Sequence, residues 1–210
     1  MNQRCRIKIC GLTRPEDVDH AVMSGADALG FVLWPGSRRA IEPDTLQALS
    51  ARVPPFVTRV GLFVDQSAEL IAACLPFLDM LQFHGDEPPE ACRLYGRPWL
   101  KALRMKDDLD VEAAMDRYHQ AQGILLDAYR PGVPGGTGEA FDWARVPVAG
   151  RGRIVLAGGL TADNVGLAIR TAHPFAVDVS GGVEQSPGQK SAERLEGFID
   201  AVRQAEMAPY

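Results

Sequence analysis

Proton transfer needs an acid and a base held in fixed places, and this chain sets a thiol and carboxyls at the ends of apolar runs. Ile7-Lys8-Ile9 leads to Cys10, Leu125-Leu126 to Asp127, and Ala176-Val177 to Asp178. A period of two along a strand puts Lys8 and Cys10 on one face and Ile7 and Ile9 on the other. Cys10 then has two readings: a small buried hydrophobe, as free cysteine usually is, or a thiol on the floor of a site. A thiol of pKa ~8.5 is only a few per cent thiolate at pH 7. Lys8, roughly 7 Å away on the same face, raises that fraction unless it pairs with a core carboxylate. Asp127 either caps the next turn or serves as an acid. Two carboxylates in one place push one pKa upward, so a neighbouring Asp178 would help Asp127 keep the proton a general acid needs. Asp178 has the alternative task of organising the glycine loop that follows it.

Two glycine pairs point to an anion. Ile154-Val155-Leu156-Ala157 runs into Gly158-Gly159, and Phe175-Ala176-Val177-Asp178-Val179-Ser180 runs into Gly181-Gly182. Glycine lets backbone N–H groups come close to a ligand without a Cβ in the way, and a helix N-terminus adds partial positive charge. Strand, glycine turn, helix, strand, glycine turn is the pattern by which an α/β barrel builds a phosphate site after its last two strands. Gly158, Gly159, Ser180, Gly181 and Gly182 are therefore expected to hold a phosphate.

These groups need a scaffold that brings distant strand ends together. Apolar runs recur at 5–10, 28–33, 57–64, 78–83, 99–103, 123–127, 153–157 and 175–179, at intervals that suit one strand, one helix and two loops. Most runs are continuous rather than alternating, as in a parallel sheet covered by helices. Helical patterns lie between them: 15–24 after Thr13 as cap and before Gly25, 43–51 after Glu42, 68–75 after Ser67, and 88–95 before Gly96. Further patterns cover 110–119 (Ala113, Ala114 and Tyr118 on one side), 161–171 and 191–206. The expected fold is a single (β/α)8 barrel domain over 1–210, with its site at the C-terminal ends of the strands. The Pro- and Gly-rich segment 128–139 is long enough to be a functional lid.

Composition narrows the class. A net charge of −5 without basic clustering disfavours a nucleic-acid surface, and no stretch is apolar for long enough to span a membrane. The N-terminal residues run directly into the first apolar run, which leaves no room for a signal peptide. Four cysteines without CxxC spacing fit a reducing cytoplasm, and four scattered histidines argue against a protein-held metal. Among other polar residues at strand ends, Arg38 is read as solvated surface and His84 as structural or ligand-binding. Lys101 sits mid-strand without a lysine in the sixth run, which disfavours a Schiff base.

Together these segments resemble the phosphoribosylanthranilate isomerase family. KICGLT, GADALGFVLWPGSRR, RVGLFV and LQFHGDE follow the first four strands in order, and LLDA, GGTGEAFDW, LAGGLTADNV and FAVDVSGGVE the later ones. The resemblance covers Arg6 to Ile199. It implies an Amadori rearrangement in tryptophan biosynthesis without metal or organic cofactor. By the same resemblance, the expected conversion is of N-(5′-phosphoribosyl)anthranilate to 1-(2-carboxyphenylamino)-1-deoxyribulose 5-phosphate. By resemblance, Asp127 matches the general acid, Cys10 the general base and Arg39 the arginine that binds the anthranilate carboxylate. The glycine pairs match the phosphate site. The chain departs from many relatives at Ser180-Gly181-Gly182, where they read Ser-Ser-Gly; the expected effect is on affinity.

Rival phosphosugar barrels fit less well. The histidine-pathway Amadori isomerase would show an aspartate where Cys10 stands. Indoleglycerol-phosphate synthase would place a lysine and glutamates in the mouth, and ribulose-phosphate epimerase a histidine and aspartate metal set. A non-catalytic phosphate-ligand sensor would keep the glycine loops and need neither Cys10 nor Asp127. The expected partner is a small phosphosugar, with no nucleic acid, no membrane and a monomeric chain.

Overall fold

In the computed structural model, which describes residues 4–128 and 141–207, eight parallel strands close into a barrel in sequence order. They are β1 (Arg6–Cys10), β2 (Ala28–Val32), β3 (Thr58–Phe63), β4 (Met80–Phe83), β5 (Trp99–Met105), β6 (Gly123–Ala128), β7 (Ile154–Leu156) and β8 (Ala176–Val179). Closure comes from β8 pairing with β1, with Lys8 opposite Asp178. The expected runs and the strands agree in number and order. The largest differences at one end are of two residues: β4 starts at Met80 rather than Leu78, and β5 runs on to Met105 rather than stopping at Leu103. That extension carries Arg104 to the mouth of the barrel.

Two apolar layers explain why the runs are nearly continuous. Ile7, Ile9, Leu29, Phe31, Phe63, Phe83 and Trp99 belong to the larger layer under the helices. Leu100, Ala102, Leu125, Val155, Ala157 and Ala176 fill the inside of the barrel. Alternate residues thus serve opposite layers, and both are dry. Each buried Leu, Ile or Phe of these layers contributes on the order of 1.5–3 kcal/mol by leaving water. The inward set on β6 is Leu125 then Asp127, and on β8 Ala176 then Asp178. The same alternation that builds the core therefore delivers both acids to the mouth.

The helices are α1 (Pro15–Ser24), α2 (Pro43–Ser50), α3 (Ala68–Cys74), α4 (Pro89–Cys92), α5 (Val111–Arg117), α6 (Ala162–Ala172) and α7 (Ala192–Met207). A short antiparallel hairpin, β9 (Glu184–Ser186) and β10 (Gln189–Lys190), follows β8. Ser67 caps α3 by accepting from the Leu70 amide, and Gly25 ends α1 in the left-handed conformation at φ 97°. Thr13 does not cap α1. Arg14 holds that position without a side-chain capping bond, Pro15 needs no amide partner there, and the Thr13 hydroxyl instead donates to the Gly188 carbonyl. The expected helix at 88–95 is only one α-turn, continued by a 3-10 turn over Arg93–Tyr95 before left-handed Gly96. On α5, Tyr118 is buried but Ala113 is exposed, because the helix stops at Arg117 and its inner face is narrower than the pattern suggested. The expected lid over 128–139 lies, apart from Ala128, outside the described residues. Among the described residues no helix is long and apolar enough to cross a membrane.

Candidate active site

At the C-terminal ends of the strands the barrel opens into a cavity of about 430 Å³, a size suited to a small-molecule ligand. Cys10, Arg39, His84, Asp127 and Asp178 all lie in its wall, together with Gly158, Gly159, Ser180, Gly181 and Gly182. These residues come from loops and strand ends spread over most of the chain, and only barrel closure brings them together.

Cys10 points inward from β1, one alternation above Lys8, while Ile7 and Ile9 pack outward under the helices. It is 5 % exposed. Burial pushes the thiol above its ordinary value, and the nearby Lys8 ammonium pulls it back only in part. The expectation that Lys8 would enrich the thiolate is corrected on this point: desolvation outweighs the lysine. Gly30 on β2 makes room for the pair. A Cβ there would come within 2.7 Å of the Cys10 sulfur and 3.0 Å of the Lys8 ammonium.

Lys8 is committed elsewhere. Its ammonium donates to Asp178 Oδ1 at 2.8 Å in a buried ion pair. Burial alone would lower the lysine, but Asp178 and Cys10 together more than offset it, so the ammonium is held charged. The expected like-charge couple between Asp127 and Asp178 is also corrected. Asp178 is matched by Lys8, and Asp127 Oδ2 faces His84 Nε2 at 3.4 Å. The two acids share a cavity wall but have different partners.

His84 in turn is held by Gln82, whose Nε2 lies 3.3 Å from His84 Nδ1. With the amide so oriented, Nδ1 accepts and Nε2 carries the hydrogen toward Asp127. Gln82 Oε1 is buried and has no protein partner in the mouth. Gly158 has φ 83°, and a Cβ there would stand 2.8 Å from Asp127 Oδ1 and 2.2 Å from the Ala128 amide nitrogen. A side chain at this position would both strain the backbone and displace the acid.

The two glycine turns lie side by side after the paired strands β7 and β8, and a Cβ on Gly182 would stand 1.9 Å from the Leu160 carbonyl oxygen. The first is pinned from behind: Asn164 donates from Nδ2 to the Gly159 carbonyl at 2.8 Å and accepts the Thr161 amide at 2.9 Å, within a capping box that starts α6. The second turns through a 3-10 segment, Gly181–Val183, into the hairpin.

Arg39 reaches the wall from the loop after β2. Its Nε and Nη2 donate to Glu184 Oε1 and Oε2 at 2.8 and 2.7 Å, a two-point fork. Arg38 is exposed, as expected, and takes no part. Lys101 faces away from the cavity. It pairs with Glu87 at 2.8 Å and donates to the Gly85 carbonyl at 2.7 Å beneath the 85–88 turn, which fits a structural lysine.

The sequence reading missed Glu184, Lys190, Gln82 and Arg104. Glu184 was visible as the acid two residues past Gly182, but nothing in its spacing announced a link to Arg39. Lys190, 3 % exposed, carried no signal at all, because its environment depends on a hairpin that closes only in three dimensions.

Fold and site define an α/β-barrel enzyme whose mouth gathers a thiol, two carboxyls and an arginine together with paired glycines. The chain belongs to the N-(5′-phosphoribosyl)anthranilate isomerase family, whose model matches residues 7–201. It is 60 % identical over 200 residues to N-(5′-phosphoribosyl)anthranilate isomerase of Chromohalobacter salexigens, covering 95 % of each chain. It is similar in structure to phosphoribosyl anthranilate isomerase from Thermotoga maritima, with a TM-score of 0.87 and 42 % identity over 95 % of this chain and 99 % of that one. A second solved isomerase, in complex with reduced 1-(o-carboxyphenylamino)-1-deoxyribulose 5-phosphate, matches with a TM-score of 0.83 and 40 % identity, covering 95 % and 99 %.

Proposed function

We propose that Cys10 and Asp127 carry out, as base and acid, the isomerisation that defines this family. The chain converts N-(5′-phosphoribosyl)anthranilate to 1-(2-carboxyphenylamino)-1-deoxyribulose 5-phosphate, a step of tryptophan biosynthesis. The single observation that carries the assignment of roles is the convergence of the Cys10 sulfur and the Asp127 carboxyl on one cavity that both glycine turns also line.

Asp127 gives a proton to the furanose oxygen as the anthranilate nitrogen pushes open the C1–O bond, leaving an imine at C1. The imine makes the C2 proton acidic, and the Cys10 thiolate removes it. The resulting enol closes to the ketone at C2 as C1 takes up a proton, so the reaction is an isomerisation with no net gain or loss. Each placed acid or base is typically worth about 10²- to 10⁴-fold. Grip on the phosphate by Gly158, Gly159, Ser180, Gly181 and Gly182 keeps the opened chain in reach of both groups. Asp178, neutralised by Lys8, stands at the sugar's edge as a hydrogen-bond acceptor, and His84 orients Asp127 through Nε2.

Arg39 takes the anthranilate carboxylate. A guanidinium has five N–H donors, and Glu184 occupies the Nε/Nη2 edge. The Nη1/Nη2 edge remains for a second two-point contact. Every group in this scheme comes from one polypeptide, so the site needs no second copy, which supports reading the chain as a monomer. Its four free buried thiols suit the reducing cytoplasm.

The test is the fluorescence of the anthranilate group, followed as purified protein meets the phosphoribosyl substrate. Enzymatic decay supports the isomerase. Binding without decay would favour a sensor on the same scaffold.

A further inference from the structure

The hairpin β9–β10 stands beside the mouth next to β8 and β1, and its charged residues turn inward. Glu184 is 6 % exposed. Besides the fork to Arg39, its Oε1 accepts from Lys190 Nζ at 2.9 Å and from the Gly188 amide at 3.2 Å. Lys190 spends its other donors on the Cys10 carbonyl at 2.6 Å and the Ser180 carbonyl at 3.2 Å. The hairpin is itself tied to the start of α1. Arg14 donates to the Lys190 carbonyl at 3.2 Å, and Asp17 accepts the Lys190 amide at 3.0 Å.

Burying so many charges in one place is a poor way to gain stability, since desolvation consumes most of the attraction. What such a cluster does supply is fixed direction. Arginine is long and flexible, and ordering it at the moment of binding costs affinity. Glu184 removes that freedom in advance by holding one edge of the guanidinium and aiming the other at the cavity. Lys190 holds Glu184 in turn, and references it to the backbone of both the thiol and the second glycine turn.

We propose that Glu184, anchored by Lys190, is a positioning residue that sets the specificity of the site for a ligand bearing an aromatic carboxylate, by presenting the free edge of Arg39. This rests on the reading in which Arg39 receives that carboxylate. Glu184 itself touches no reacting atom. A glutamine at 184 can accept from only one of the two Arg39 donors and turns its own N–H against the other, so the fork opens.

The experiment compares two ligands by titration: reduced 1-(o-carboxyphenylamino)-1-deoxyribulose 5-phosphate and its counterpart without the ring carboxylate. Wild type should prefer the carboxylated ligand. Glu184→Gln should weaken that ligand about tenfold or more, as expected for loss of a charge-assisted pair, and leave the other within about twofold. Glu184→Asp, which keeps the charge but shortens the reach, should lose part of the preference and covers the case that Glu184→Gln does not fold. In an Arg39→Ala background, Glu184→Gln should change neither affinity further. Equal weakening of both ligands, or additive losses in the double variant, would make Glu184 a structural residue and overturn the proposal. If wild type fails to prefer the carboxylated ligand, the reading of Arg39 fails first and takes this inference with it.

Discussion

Cys10 is asked to act as a base from a place that disfavours its charged form. The thiol is buried, and burial raises its pKa above the ordinary value despite Lys8. A raised pKa means less thiolate at any given pH, so base-dependent turnover should climb as pH rises through and past the ordinary thiol value of about 8.5. We expect kcat/KM to increase with pH over that range in the wild type, and the increase to vanish in Cys10→Ala. A pH–rate profile of free enzyme and substrate checks this; a flat alkaline side in wild type would contradict it. Arg39→Ala should act mainly on KM. In its proposed role the guanidinium would meet the carboxylate equally in ground and transition states, and such uniform binding leaves kcat nearly unchanged.

The seam between β1 and β8 closes the barrel and puts Lys8 beside Asp178. Their contact is buried on both sides. Removing one partner leaves the other charge without compensation, which typically costs about 3–5 kcal/mol. Lys8→Met should therefore lower the melting temperature by roughly 6–20 °C, at about 2–4 °C per kcal/mol for a chain of this size. Thermal unfolding followed by circular dichroism measures it. A drop of under about 2 °C would mean that the pair adds little to closure. The hairpin works differently. Burial would raise Glu184, but the Arg39 hydrogen bonds and Lys190 hold it below the ordinary carboxylate value. Its contribution to stability is complete above the unfolded pKa of about 4.3 and is lost as pH falls through the lower folded value.

For the whole molecule, repetition was the most legible feature. Runs such as 28–33 and 123–127 disclosed strands because parallel strands, buried on both faces, leave an unbroken apolar signature in the sequence. Cys10, Asp127 and Asp178 were legible for a related reason: a polar group directly after such a run falls at a strand end, where barrels keep their chemistry. Partners were not legible. Lys8 to Asp178, His84 to Asp127 and Arg39 to Glu184 each join segments far apart in the chain. No local pattern encodes which charge meets which. For the same reason the sequence suggested two acids perturbing each other where the fold instead gives each its own cation or imidazole.

In the proposed mechanism one thiol and one carboxyl, brought together by the closed barrel, move the protons of the rearrangement. Its most direct measurement is kcat by anthranilate fluorescence for Cys10→Ala and Asp127→Asn, each first shown by circular dichroism to be folded. Both should fall by about 10²-fold or more, with KM changed far less. A folded Cys10→Ala or Asp127→Asn that turns over at the wild-type rate would contradict the account.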